Sequence, residues 1–133
     1  MNNNVICWFE IYVKEINRAK KFYSDVLGKT FSDMEAQGDA PQEMKMAFFN
    51  TADPTDQDSV SGALVEMPGT KEGDSACVNT IVYFPCQDCS VEESRVANAG
   101  GTVHCPKMSI GEHGFISICL DTENNTFGLY SMQ

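Results

Sequence analysis

From Val5 to Val13 the chain reads VICWFEIYV, with apolar Val5, Cys7, Phe9, Ile11 and Val13 at every odd position. A period of two predicts a strand with one face in a core. The even positions carry Ile6, Trp8, Glu10 and Tyr12. That face mixes aromatic rings with a carboxylate and reads as a cavity wall. Next, Ile16, Ala19, Phe22, Tyr23, Val26 and Leu27 recur at three- and four-residue spacing among Lys14, Glu15, Arg18, Lys20, Lys21 and Asp25. This predicts an amphipathic helix, stopped by Gly28 as a left-handed cap. Three further strands are expected near residues 29–35, 44–50 and 60–67. The stretch Asn50 to Ser61, with Asp53-Pro54 and two more aspartates, reads as a solvated loop.

After the turn-rich run from Pro68 to Asp74 the pattern begins again. Cys77 to Cys86 alternates, with Val78, Val82, Phe84 and Cys86 on one face and Asn79, Ile81 and Tyr83 on the other. Ser90 with Glu93 three residues on reads as a capping box. It predicts a helix through Val91, Val96 and Ala99 to Gly100-Gly101. Strands then fit residues 102–105, 114–120 and 126–132, the last two joined by a turn over Asp121 to Asn125. A shift of 73 places Gly28 on Gly101, Val13 on Cys86 and Phe9 on Val82, matching cap with cap and core with core. The expected fold class is therefore α+β. Two βαβββ modules, at about residues 1–68 and 75–133, form a curved mixed sheet around a central cavity.

A length of 133 residues suits one domain at roughly 100 to 200 residues each. No apolar run approaches the roughly 20 residues that cross a bilayer. Met1-Asn2-Asn3-Asn4 carries no basic residue ahead of a long apolar run, so no secretion signal is expected and the localisation reads as cytoplasmic. Acidic residues exceed basic ones by 19 to 9, for a formal charge of -10. That charge repels phosphate backbones and anionic headgroups, so neither nucleic acid nor membrane is an expected partner. Cys7, Cys77, Cys86, Cys105 and Cys119 fall in apolar or β-rich runs and read as small buried hydrophobes. Cys86 and Cys89 form a C-x-x-C, but no second ligand pair follows to complete a zinc site. Nucleophile-elbow, phosphate-loop, dinucleotide and zinc-peptidase motifs are absent.

Three segments carry a family resemblance across nearly all of the chain. They are FEIYV with RAKKFYSDVLG (Phe9–Val13 and Arg18–Gly28), PKMSIGEHGF (Pro106–Phe115) and LDTENNTFGL (Leu120–Leu129). Together they resemble the vicinal oxygen chelate superfamily of glyoxalases, bleomycin resistance proteins and extradiol dioxygenases. The resemblance implies the paired βαβββ fold and a homodimer. It also implies, for the superfamily's enzymes, a divalent metal held by His, Gln or Glu from the first and fourth strands of each module. Counted onto this chain, those positions fall on Trp8, Ile81 and Gly128, none of which is a metal ligand. Only Glu66 matches. One carboxylate does not hold a catalytic ion.

The expected function is metal-free binding of a small-molecule ligand, with no cofactor. Strand parity nominates Trp8, Glu10, Tyr12, Glu66, Tyr83 and Tyr130 as lining, and His113 joins them if it alternates with Phe115 and Ser117. Aromatic walls with carboxylates suit a planar or cationic molecule. Each residue has a plainer reading. Trp8 and the tyrosines are also plausible core filling, Glu10 and Glu66 ordinary ion-pair partners, and His113 a loop-end histidine. Two rival functions stand beside binding. One is a divalent-metal-dependent lyase, isomerase or dioxygenase of the glyoxalase type; the other is a non-catalytic interaction or regulatory subunit with a plugged hollow.

Overall fold

The computed structural model describes residues 4–34, 45–51, 59–66 and 80–133. The expected turn over Pro68 to Asp74, most of the loop from Asn50 to Ser61, and Cys77 lie outside the described residues. Those that are described form two compact units, Phe9–Thr80 in one and Ile81–Gln133 with residues 4–8 in the other. Each holds one helix and a set of strands, as the duplicated pattern predicts.

The first unit has strands β1 (Trp8–Tyr12, whose first residue is counted with the other unit), β2 (Phe31–Asp33), β3 (Lys45–Phe49) and β4 (Ser61–Glu66), with helix α1 (Ile16–Leu27) after β1. Their order is β2-β3-β4-β1, and β2-β3 and β3-β4 pair antiparallel. The odd residues of β1 do turn inward. Ile11 and Val13 pack with Ala19 and Tyr23 against a buried cluster of Ile16, Ala47 and Leu64. Gly28 ends α1 with φ 68, and its amide donates to the Ser24 carbonyl at 2.9 Å. A left-handed backbone at that position favours a residue without Cβ.

The second unit has β5 (Thr80–Pro85), α2 (Cys89–Val96), β6 (Thr102–Ser109), β7 (Phe115–Leu120) and β8 (Thr126–Ser131). The order is β5-β8-β7-β6; β5 lies parallel to β8 and the other pairs are antiparallel, so the pairing is mixed. Buried Cys89, Cys119 and Leu129 form the core under α2, joined by Phe84, Val96 and Phe127. Cys7, Cys86, Cys89, Cys105 and Cys119 are free thiols.

Several boundaries differ from the sequence pattern. The cap of α2 is Asp88, whose Oδ1 accepts from the Ser90 amide at 3.0 Å. The Ser90–Glu93 capping box does not form, because Glu93 accepts instead from the Lys107 amide at 2.7 Å. The helix stops at Val96, and turns carry the chain to Gly100 and Gly101. β6 runs twice as far as expected and contains Pro106. It lies at the end of its unit's strand order, and its register shifts between Cys105 and Met108, so the missing proline amide breaks no central ladder.

Candidate functional site

In the first unit, the site follows from alternation along β1. Ile11 and Val13 are committed to the α1 side, so Glu10 and Tyr12 take the opposite face. The register of β3 with β4 puts Met46 beside Val65 and Phe48 beside Ala63 on that same face. Ala63 and Val65 are buried. The half-buried Glu10 carboxylate thus has a mainly apolar floor. The Tyr12 hydroxyl donates to Glu10 Oε1 at 2.8 Å. Burial first, then the Glu10 charge and hydrogen bond, lifts the Tyr12 pKa far above the ordinary phenolic value. Tyr12 therefore stays a proton donor at any physiological pH, with its hydrogen turned to the carboxylate.

Glu66 is elsewhere. Leu64 lies in the core under α1, and two residues on along β4 the side chain returns to the same side. Glu66 Oε1 accepts from the Ile16 amide at 2.9 Å, and its Oε2 lies 3.7 Å from Lys45 Nζ. The carboxylate satisfies a free amide at the start of α1, where the helix dipole favours a negative charge. It does not share a face with Glu10 and Tyr12. The expectation that Glu66 lines the cavity is corrected on this point, because the alternation that buries Leu64 under α1 turns Glu66 the same way.

In the second unit, Tyr83 and Ile81 are both buried, with 5% of each exposed. Tyr83 pairs with Gly128 across the β5-β8 ladder, and its ring lies directly over that glycine. Any Cβ there would collide with the ring. On β8, the Tyr130 hydroxyl donates to the His113 carbonyl and sits 2.9 Å from Met132 Sδ. Burial and the neighbouring Cys7 raise the Tyr130 pKa. His113 is exposed and ends a 3-10 turn over Gly111–His113 rather than lying in β7. Phe115 belongs to the core under α2, and Ser117, in phase with it and with Cys119, turns the same way. Alternation with those residues therefore does not aim His113 at the opposite face. Trp8, at the start of β1, is half-buried. The structure thus brings Glu10 to Tyr12 and Tyr130 to the His113 backbone, and stacks Tyr83 on Gly128. The Tyr130–His113 link had no signal in the sequence, because a backbone acceptor is blind to side-chain identity.

Among the described residues no three His, Cys, Asp or Glu side chains converge as metal ligands. Within the C-x-x-C, burial first, then the Glu92 side chain, pushes the Cys86 thiol up to about 12. Among the described residues no helix is long and apolar enough to cross a membrane.

Residues 5–127 match the family model described as the Glyoxalase/Bleomycin resistance protein/Dioxygenase superfamily. The Mycobacterium tuberculosis protein CFP32, named provisionally as a glyoxylase, is 27% identical over 123 residues, covering 92% of this chain and 44% of the relative. The chain thus spans less than half the length of that relative. A hypothetical protein of Bacillus halodurans superposes with a TM-score of 0.69 at 13% identity, covering 99% of this chain and 96% of the other. A Streptomyces coelicolor methylmalonyl-CoA epimerase variant, in complex with 2-nitronate-propionyl-CoA, superposes with a TM-score of 0.64 at 16% identity, covering 96% of each chain. At such identities the structural likeness carries the fold.

Proposed function

The chain belongs to the Glyoxalase/Bleomycin resistance protein/Dioxygenase superfamily, and from that membership we propose that it binds a small molecule without a resident metal ion. The binding surface is the face of the first unit's strands turned away from α1. Glu10 and Tyr12 supply its polar contact; in the second unit Tyr83 and Tyr130, on the strand face away from α2, are proposed as contacts of that unit's own surface. The observation that carries this reading is the Tyr12–Glu10 hydrogen bond on an otherwise apolar face. A carboxylate on such a face is a ready acceptor for a donor group of a ligand. The ligand class is a compact molecule with a cationic or strongly donating group that the Glu10 carboxylate can accept from. The protein is proposed to act as a cytoplasmic homodimer.

One observation favours a second reading. The Tyr83 ring over Gly128 fills part of the corresponding face of the second unit, as in a protein whose surface is closed by its own side chains and serves interaction rather than capture. Native mass spectrometry of the purified protein against a library of amines, amidines and neutral isosteres separates the two. Capture of cationic members, weakened roughly tenfold or more in Glu10→Gln, supports binding. Retention of nothing by the folded protein leaves the interaction reading. Equal capture by Glu10→Gln removes the carboxylate from the site.

A further inference from the structure

We propose that a groove between α2 and the β7–β8 turn binds a small organic monoanion with an apolar tail. The groove is on the α2 side of the second unit's strands, so it is separate from the face assigned above and is tested without it.

Its origin is the shortness of α2. The helix ends at Val96, and the chain turns through Gly100, φ 102, to reach β6. The far ends of β7 and β8 are left uncovered, and a cavity of about 360 Å³ opens there. That size is at the small end of ligand sites. Its floor is apolar, built from Val96, Ala99, Leu120, Phe127 and Leu129. Four polar side chains form the rim, and two of them are already committed. Asp121 Oδ1 accepts from the Glu123 amide at 2.8 Å and the Asn125 amide at 2.9 Å, and its Oδ2 accepts from Asn125 Nδ2 at 3.0 Å. Glu92 lies beside the Cys86 thiol. The other two are Arg95 and Thr122, whose side chains have no hydrogen-bond or ion-pair partner among the described residues. The uncommitted polar groups are thus a guanidinium and a hydroxyl, both able to donate, above an apolar floor.

That combination recognises a carboxylate head on an aliphatic or single-ring body. Guanidinium and carboxylate match in geometry, and the apolar tail leaves water on entering the floor. Glu92 and Asp121 make the rim net acidic, so a carboxylate head is held only by direct pairing with the Arg95 guanidinium, and a second negative charge is disfavoured further.

The test is an NMR titration of the ¹⁵N-labelled full chain with octanoate, alongside octylammonium, suberate and octan-1-ol. Octanoate should saturate, with shifts concentrated at the amides of Ala99, Gly101 and Thr122. Octylammonium and suberate should bind at least tenfold more weakly. Arg95→Gln, at an exposed position, should weaken octanoate by roughly tenfold or more while leaving octan-1-ol unchanged. Ala99→Trp should block both. Equal binding of octylammonium, unchanged octanoate affinity in Arg95→Gln, shifts that map elsewhere, or no saturation would each overturn the proposal.

Discussion

A Cβ at Gly128 would meet the ring of Tyr83. Gly128→Ala should therefore destabilise the protein by about 1–3 kcal/mol through overpacking, read as a lower urea midpoint. Tyr83→Leu in the same chain should recover part of that loss. Additive losses would mean that the ring is not what excludes the side chain. Along β1 the sequence was a good guide, because residues two apart on a strand must share a face whatever else the fold does. Glu10 and Tyr12 were legible as neighbours for that reason, and their hydrogen bond needs no third element. Glu66 shows where the reasoning failed. Its face depended on which of Leu64 and Val65 met the helix, and both are apolar, so composition did not decide it.

At the scale of elements, α1 was read closely because its stripe is long and Gly28 stops it sharply. The start of α2 was misplaced. Ser90 and Glu93 satisfy the sequence rule for a cap, but Asp88 does so earlier and Glu93 is drawn to the Lys107 amide on β6, a partner remote in sequence. Asp88 also meets Lys107 Nζ at 2.9 Å. The Ser90 hydroxyl, Lys107 and the Ser90 amide, in that order, hold its carboxyl down to about 2, against an unfolded value of about 3.9. A depressed folded pKa gives stability that is present above the unfolded pKa and lost as pH falls toward the folded one. Between about pH 4 and 2 the melting temperature should therefore fall less steeply in Asp88→Asn than in the parent protein. Identical slopes would show that this cap does not contribute to acid unfolding. The length of β6 was hidden by Pro106, which reads as a strand breaker unless the strand is known to lie at an edge.

At the scale of the whole molecule, family membership and the paired α+β modules agree with the duplicated pattern. With Trp8, Ile81 and Gly128 at the expected ligand positions, chelation by EDTA should leave the melting temperature unchanged, and elemental analysis should find no stoichiometric Ni, Zn, Mn or Fe. A bound metal at one equivalent, with a fall in melting temperature on its removal, would reverse the metal-free reading. The amino-acid order by itself determined the two modules, their helices and most strands, and which residues stand at the positions where the resemblance expects metal ligands, because periodicity, glycine stops and residue identity are local properties. Only the tertiary structure decided that Glu66 anchors a helix, that Tyr83 covers Gly128, that His113 stands outside its strand, and that a groove opens beyond α2. Each of these depends on which distant backbone or ring comes to lie against a side chain, and that is settled when the elements pack.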